Sequence, residues 1–288
     1  MLFEIDLKDF PYRNRETVSY TEFKVFQDCQ FRHYMSFINP ETPMGEKFQT
    51  FSGIFGTMVH EYLKKIAVKQ RMLNLLNQRN LNIAFYQKEF KFDFLRELRK
   101  ASVREDYATK RLLSSLSGKK NYTELKEIFI KAGQKFLNYG HFILTQNLIV
   151  ATELELYDMI PDISPNLRKF KGAIDLVTYD NDSKKFGIIE WKTSYREVEH
   201  DPRQLLLYKY FLAKDLKLPL DRFKTYFCEF RVSTMDHKFT EVPSNSSYME
   251  NVMEPLKNFV LTLKTKKVSR KVGKRCDFCR FQDLCEMF

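Results

Sequence analysis

The sequence predicts an α/β fold. Apolar residues recur at helical spacing through the first half of the chain and at strand spacing from about residue 149, and residues 149–235 then run three strands, a helix and a further strand. With a helix before them, the elements follow the order αβββαβ. At 288 residues with 43% hydrophobic and 15% aromatic content, the chain holds enough apolar material for one large domain over 1–288.

Each element has its own signal. "YTEFKVFQDCQFRHYMSF", in the segment 19–38, reads as a short amphipathic helix with Ser19 and Thr21 as caps and Cys29 near its end. Residues 39–53 hold two prolines and two glycines and read as a loop. "GIFGTMVHEYLKKIAVKQRM", spanning 53–72, is a helix with Phe55, Val59, Tyr62 and Ile66 along one face. Residues 73–148 form a helical insertion whose turn is expected at "SSLSGKKN", Ser114 to Asn121. The core of 149–235 follows: the strands "LIVATELELYDMI", "FKGAIDLVTYD" and "FGIIEWKTS", the helix "PRQLLLYKYFLAKDL" and the strand "RFKTYFCEFRVS". The C-terminal segment 244–288 opens with a helix that contains Pro255.

A formal charge of +11 and a pI near 9.2 point to a polyanionic partner, although charge alone does not separate DNA from RNA or an anionic membrane. No signal-peptide pattern and no apolar stretch of the ~20 residues that span a bilayer is visible, so a cytoplasmic protein without a membrane partner is expected. The Lys, Phe and Asn content suggests an AT-rich genome such as a phage's. Between Glu254 and Cys276 there is no acid, but Lys257, Lys264, Lys266, Lys267, Arg270, Lys271, Lys274 and Arg275 are basic. That run reads either as a solvated face or as a DNA-binding surface.

The hairpin "KGAIDLVTYDNDSKKFGIIEWKTS" carries charges where a core strand should have none. Side chains alternate along a strand, so Glu190 and Lys192 project together while Ile189 and Trp191 point the other way. The turn "DNDS" makes the two strands antiparallel neighbours and brings Asp175 close to Glu190. Two carboxylates forced together repel unless a cation or a proton resolves them, and hard oxygen ligands suit Mg²⁺ or Mn²⁺. The same three residues also fit a surface salt-bridge cluster.

"GAIDLV" followed by "EWK", with Glu190 fifteen residues after Asp175, resembles the Asp and Glu-x-Lys signature of the PD-(D/E)XK nucleases. "GTMVHEYL" resembles the upstream helix of their RecB-like exonuclease branch, "TELEL" the strand before the Asp, and "QLLLYKYFL" its Gln-x-x-x-Tyr helix. The resemblance implies a restriction-endonuclease-like core, a central mixed sheet flanked by helices. It implies that His60, Asp175, Glu190 and the main-chain carbonyl of Trp191 hold the divalent metal, with Glu153 an accessory acid. Lys192 would then act on the attacking water, with Gln204 and Tyr208 steadying DNA or Lys192.

Five cysteines, Cys29, Cys228, Cys276, Cys279 and Cys285, are an odd number without a secretion signal, which favours metal binding over disulfides. "CDFCRFQDLC" spaces Cys276, Cys279 and Cys285 as C-x2-C-x5-C, and a fourth soft ligand, for which Cys29 is the candidate, would complete either tetrahedral zinc or a [4Fe-4S] cluster. Cys228, inside a strand, reads as a small buried apolar residue.

One distant Cys plus C-x2-C-x5-C resembles the iron-sulfur members of the RecB-like branch, AddB-type nuclease domains and CRISPR-associated single-domain exonucleases, which implies [4Fe-4S] in preference to Zn²⁺. The cluster would staple the N- and C-terminal segments into one module. The implied activity is a metal-dependent DNA exonuclease acting on single-stranded ends in recombination, repair or replication. A non-catalytic DNA-binding subunit of a larger DNA-processing or CRISPR adaptation complex, and a structure-specific or RNA-directed nuclease of the same superfamily, are the other readings. No G-x-x-x-x-G-K-[ST] motif is present, so unwinding would need a helicase partner.

Overall fold

The computed structural model describes residues 2–6, 16–39, 51–78, 81–102, 122–160, 169–243, 246–265 and 267–273, with 276, 279, 281–282 and 285. In chain order the described elements are β1 (Leu2–Asp6), β2 (Thr17–Ser19), α1 (Tyr20–Asp28), α2 (Gln30–His33), α3 (Phe51–Leu75), α4 (Ile83–Ser102), α5 (Tyr122–Gln146), β3 (Leu148–Asp158), β4 (Lys169–Asp180), β5 (Lys185–Ser194), α6 (Arg203–Leu216), β6 (Phe223–Arg231), β7 (Asp236–Glu241), α7 (Ser246–Thr265) and β8 (Lys267–Lys271). The chain divides into two compact units. Met1–Lys47, Glu155–Gly172 and Asn245–Phe288 form the first, Phe48–Leu154 and Ala173–Ser244 the second.

In the first unit, α1 starts at a capping box: the Glu22 N–H donates to Ser19 Oγ at 3.3 Å and the Ser19 N–H to Glu22 Oε2 at 2.8 Å. The single helix expected over Tyr20–Phe37 breaks at Cys29, whose backbone is extended at φ −165° and ψ 117°. α2 and a π-helical turn, Tyr34–Ile38, follow. The break lets one sequence serve two packing partners. Phe23 and Phe26 lie against Phe259 of α7, at 5.9 and 4.7 Å between rings, while Phe31, Tyr34, Met35 and Ile38 pack with Val268 and Phe281. A straight amphipathic helix presents one stripe and could not do both. β1 pairs antiparallel with β8, and β2 pairs parallel with the start of β4, Thr17 opposite Lys169.

The second unit places α3, α4 and α5 over one face of a sheet. Phe51, Phe55, Phe90, Phe94, Phe129 and Phe136 fill the layer between them. Each such burial contributes roughly 1.5–3 kcal/mol against exposure. α3 begins at Phe51 and not at Gly53, because Phe51 is buried with its ring 4.7 Å from Phe129. The turn expected at Ser114–Asn121 lies outside the described residues.

The sheet is mixed, as the αβββαβ order implies: β4 and β5 are antiparallel, β5 and β6 parallel with α6 connecting them, β6 and β7 antiparallel. Leu176, Ile189, Trp191, Cys228 and Phe230 face the helical layer, and Cys228 is fully buried there. Alternation sends Asp175, Glu190 and Lys192 to the other face. No helix among the described residues is long and apolar enough to cross a membrane.

Candidate functional sites

The β4–β5 register sets the first site. Leu176 lies opposite Ile189 and Asp180 opposite Lys185, so the next position beyond Leu176 sets Asp175 against Glu190. Asp180 belongs to the turn: its carboxylate accepts from the Asp182 N–H at 2.9 Å and the Ser183 hydroxyl at 2.6 Å, which hold it below the usual range.

Asp175 Oδ2 accepts the Trp191 N–H at 2.8 Å, and Asp175 Oδ1 is 3.4 Å from His60 Nδ1. Lys192 Nζ donates to Glu190 Oε1 at 2.9 Å and to Gln204 Oε1 at 2.9 Å. Gln204 Nε2 in turn reaches Glu190 Oε1 at 2.8 Å and Tyr208 Oη at 3.0 Å. Thus α3 supplies His60, β4 Asp175, β5 Glu190 and Lys192, and α6 Gln204 and Tyr208. Trp191 anchors the hairpin from behind, its ring 6.2 Å from Phe136 in the core.

Burial and then the nearby Asp175 charge push the Glu190 carboxyl up to about 7, against the pull of Lys192. Glu190 Oε2 is buried with no hydrogen-bond partner among the described residues. For His60, burial lowers the pKa, but the hydrogen bond and charge of Asp175 and the charge of Glu190 outweigh it and raise the imidazole. Burial and then Glu190 drive the Tyr208 phenol well above its ordinary value. A proton or a cation is therefore welcome at this acid pair.

His60 reaches Asp175 because α3 runs close over β5. A Cβ on Gly56 would meet Thr193 Oγ1 at 2.8 Å, so glycine permits that approach one turn before His60. Glu153 takes a left-handed φ of 49° inside β3, a conformation costing about 1–3 kcal/mol for a residue other than glycine. With Gly56, Thr57, His60, Glu61, Lys64 and Asp175 it lines a cleft of about 450 Å³. Burial and then Asp175 raise its carboxyl, opposed by Lys64 and His60. Gly56, Thr57, Glu61 and Lys64 escape sequence reasoning, although the spacing of Gly56, Thr57 and Lys64, three and four from His60, is the available signal.

Among the described residues no group of three or more His, Cys, Asp and Glu side chains forms a metal cage. Asp175 is turned to Trp191 and His60, and Glu190 Oε1 to Lys192 and Gln204. The donor chemistry of two carboxylates, an imidazole and a carbonyl nonetheless fits a hard divalent cation, and the partnerless Glu190 Oε2 is an oxygen such an ion would satisfy.

The second site lies in the first unit. Cys29, Cys276, Cys279 and Cys285 are free thiols lining one cavity of about 720 Å³ with Phe31, Phe281, Arg270 and Lys271. Short main-chain turns hold three of them: Cys276 N–H to the Gly273 carbonyl at 2.8 Å, Cys279 N–H to that of Cys276 at 2.9 Å, and Cys285 N–H to that of Phe281 at 2.8 Å. The Gly273 N–H also points at Cys276 Sγ, 3.4 Å away. Burial raises the Cys285 thiol, Arg270 opposes this, and Cys29 and Cys279 add to it. The soft donor set fits a thiolate-bound metal or cluster.

Of the basic residues read as a DNA surface, Lys267 and Lys271 are exposed on β8, while the Arg270 guanidinium donates to the main-chain carbonyl of Cys285. Lys266 and the side chain of Lys264 lie outside the described residues.

A family model described as the PD-(D/E)XK nuclease superfamily matches residues 17–286. The chain belongs to that superfamily. Among solved structures it is similar to a candidate exonuclease from Eubacterium rectale, at 12% identity and a TM-score of 0.50, covering 92% of this chain and 88% of that one. It also matches the protein SSO0001, at 15% identity and a TM-score of 0.36, over 81% of this chain and 97% of that one. The first of these shows the fold. No curated protein sequence matches the chain.

Proposed function

We propose that this member of the PD-(D/E)XK nuclease superfamily is a DNA exonuclease that hydrolyses phosphodiester bonds at single-stranded ends. The observation that carries this reading is the acid pair: buried Glu190, hydrogen-bonded to Lys192 and Gln204, stands beside Asp175, which lines a cleft with His60. A surface salt bridge has no need of a carboxylate oxygen buried without a partner. Recombination, repair or replication is the setting we assign, with a helicase as the class of partner.

Asp175, Glu190, His60 and the Trp191 carbonyl would hold Mg²⁺ or Mn²⁺, which when bound supplies Lewis-acid stabilisation of the phosphate and acidifies water. Lys192 directs the attacking water and offsets the negative charge that grows on the phosphate oxygens. Gln204 fixes Lys192 by accepting its N–H at 2.9 Å, and Tyr208, held neutral by its raised pKa, keeps Gln204 in place. Trp191 donates its N–H to Asp175 and so holds that carboxylate toward the cleft. Glu153 is an accessory acid lining the cleft, and Lys264, Lys266, Lys267, Arg270 and Lys271 would meet DNA phosphates.

Cys29, Cys276, Cys279 and Cys285 would hold a [4Fe-4S] cluster, in preference to Zn²⁺, as a structural staple of the first unit. Four free thiols around one cavity support that assignment.

The test is digestion of end-labelled single strands with Mn²⁺. Asp175→Ala and Lys192→Ala are each expected to lose about 10²–10³-fold in rate, and wild-type rates in either would overturn the reading. Circular single-stranded DNA, which has no end, should survive wild-type enzyme.

A further inference from the structure

We propose that the exposed edge of α3 beyond His60, carrying Lys64 and Arg71, is the rail that holds phosphates of the DNA strand leading into the cleft. The proposal rests on the nuclease reading above and adds the path by which substrate reaches it.

Three observations converge. First, Lys64 lines the cleft with His60, Glu153 and Asp175, and its charge is felt by Glu153. Second, α3 runs without interruption from Phe51 to Leu75, so at 100° per residue Lys64 stands about 40° and Arg71 about 20° around the helix from His60. The two cations therefore continue the His60 edge outward, about 6 Å and then about 16 Å along the axis. Ala67 and Gln70, next around the helix on the other side, are buried, so that edge borders the core while Lys64 and Arg71 are exposed.

Third, the neighbouring cation is already committed. Lys65 pairs with Glu61 at 3.0 Å and sits 4.5 Å over the Tyr62 ring, whereas neither Lys64 nor Arg71 closes an ion pair among the described residues.

A cleft lined by Asp175, Glu153 and Glu61 repels a polyanion. Cations must then stand along the approach if a strand is to reach the acids. Lys64, in the cleft lining, and Arg71, farther out along α3, supply them. One phosphate recurs about every 3.4 Å of a stacked strand, so two cations about 10 Å apart meet separate phosphates and neither reads a base. The contact should be independent of sequence, as an exonuclease requires.

The experiment measures binding of a fluorescent single-stranded oligodeoxynucleotide by anisotropy across a salt series. It uses Asp175→Ala protein in EDTA so that nothing is cut. The added Lys64→Ala/Arg71→Ala pair should reduce the slope of log K against log salt by about 1.4, two phosphates at about 0.7 each for a single strand. Affinity at low salt should fall about tenfold or more, with melting unchanged. Lys65→Ala should leave slope and affinity as they were. An unchanged slope in the double variant, with strand cleavage by the enzyme carrying Asp175 intact, overturns the rail and leaves the nuclease standing. Failure of that enzyme to bind or cut any single strand overturns both.

Discussion

The acid site and the cysteine site are built in opposite ways. Asp175, Glu190 and Lys192 stand on adjacent antiparallel strands whose intervening residues, Leu176, Ile189 and Trp191, are locked into an aromatic core. Cys29 sits at a helix break, and Cys276, Cys279 and Cys285 stand on successive short turns around an open cavity. Strand register and core packing hold the first set even though its two carboxylates repel. The second set packs only against a smaller core that includes Phe31, Tyr34, Val268 and Phe281, so a metal or cluster bound there would contribute to folding itself. A preorganised acid pair costs stability and gains chemistry, whereas the thiol set would gain stability on binding a metal or cluster.

The largest expected effect breaks that symmetry by calorimetry. Cys279→Ser should remove the visible absorbance of an iron-sulfur protein and lower the melting of its unit by more than about 10 °C, the shift that a loss of about 2 kcal/mol or more gives in a unit of this size. Asp175→Asn should leave melting unchanged or raised, because it removes the charge that opposes Glu190. A colourless protein with stoichiometric zinc would replace the cluster with Zn²⁺ and leave the comparison intact. Equal destabilisation by both substitutions would end it.

The pH dependence of the acid site comes next. The folded Glu190 carboxyl titrates at about 7, above its unfolded value, so its contribution to stability is present below the unfolded pKa and is lost as pH rises through about 7. Activity runs the other way, because an ionised Glu190 and a neutral His60 are the forms that bind a cation. The rate constant kcat/KM should climb about tenfold per unit up to neutrality, and added Mg²⁺ should move that limb to lower pH. A limb that stays put at every Mg²⁺ concentration would remove Glu190 from the metal site.

Arg270 sharpens the comparison from the other side. Its guanidinium anchors the Cys285 carbonyl, so Arg270→Gln should speed metal loss to a chelator by about 10-fold, in the range typical of groups that orient ligands. The same loss of DNA affinity as in Lys271→Ala, with no change in metal retention, would return Arg270 to the DNA surface alone. Smallest is Ser19→Ala, which opens the capping box ahead of Cys29 and should cost about 1 kcal/mol in the first unit and nothing in the second.

Much of this was legible in the residues, unevenly. The alternation of "GAIDLV" and "GIIEWK" is enough to turn Glu190 and Lys192 from the core, and "DNDS" is enough to close the hairpin. β7, "DHKFTE", could not be read that way: all but one of its residues are exposed, so it carries no apolar alternation and is a strand only because β6 pairs with it. β2 is three residues long, too short for any period. The break at Cys29 is invisible in an aromatic repeat that looks continuous, because it arises from two partners, Phe259 and Val268, far along the chain.

By itself, the sequence determined the kind of core, the antiparallel acid hairpin and the superfamily signature, since these depend on alternation and on spacing between near neighbours. The tertiary structure alone decided that His60 comes within 3.4 Å of Asp175, that Gln204 bridges Glu190 and Lys192, that Glu153 turns left-handed at the cleft, and that Arg270 faces a cysteine. The contacts among these join residues from 12 to 115 positions apart. Distances across a fold are set by which faces find a partner to bury against, and no local pattern encodes them.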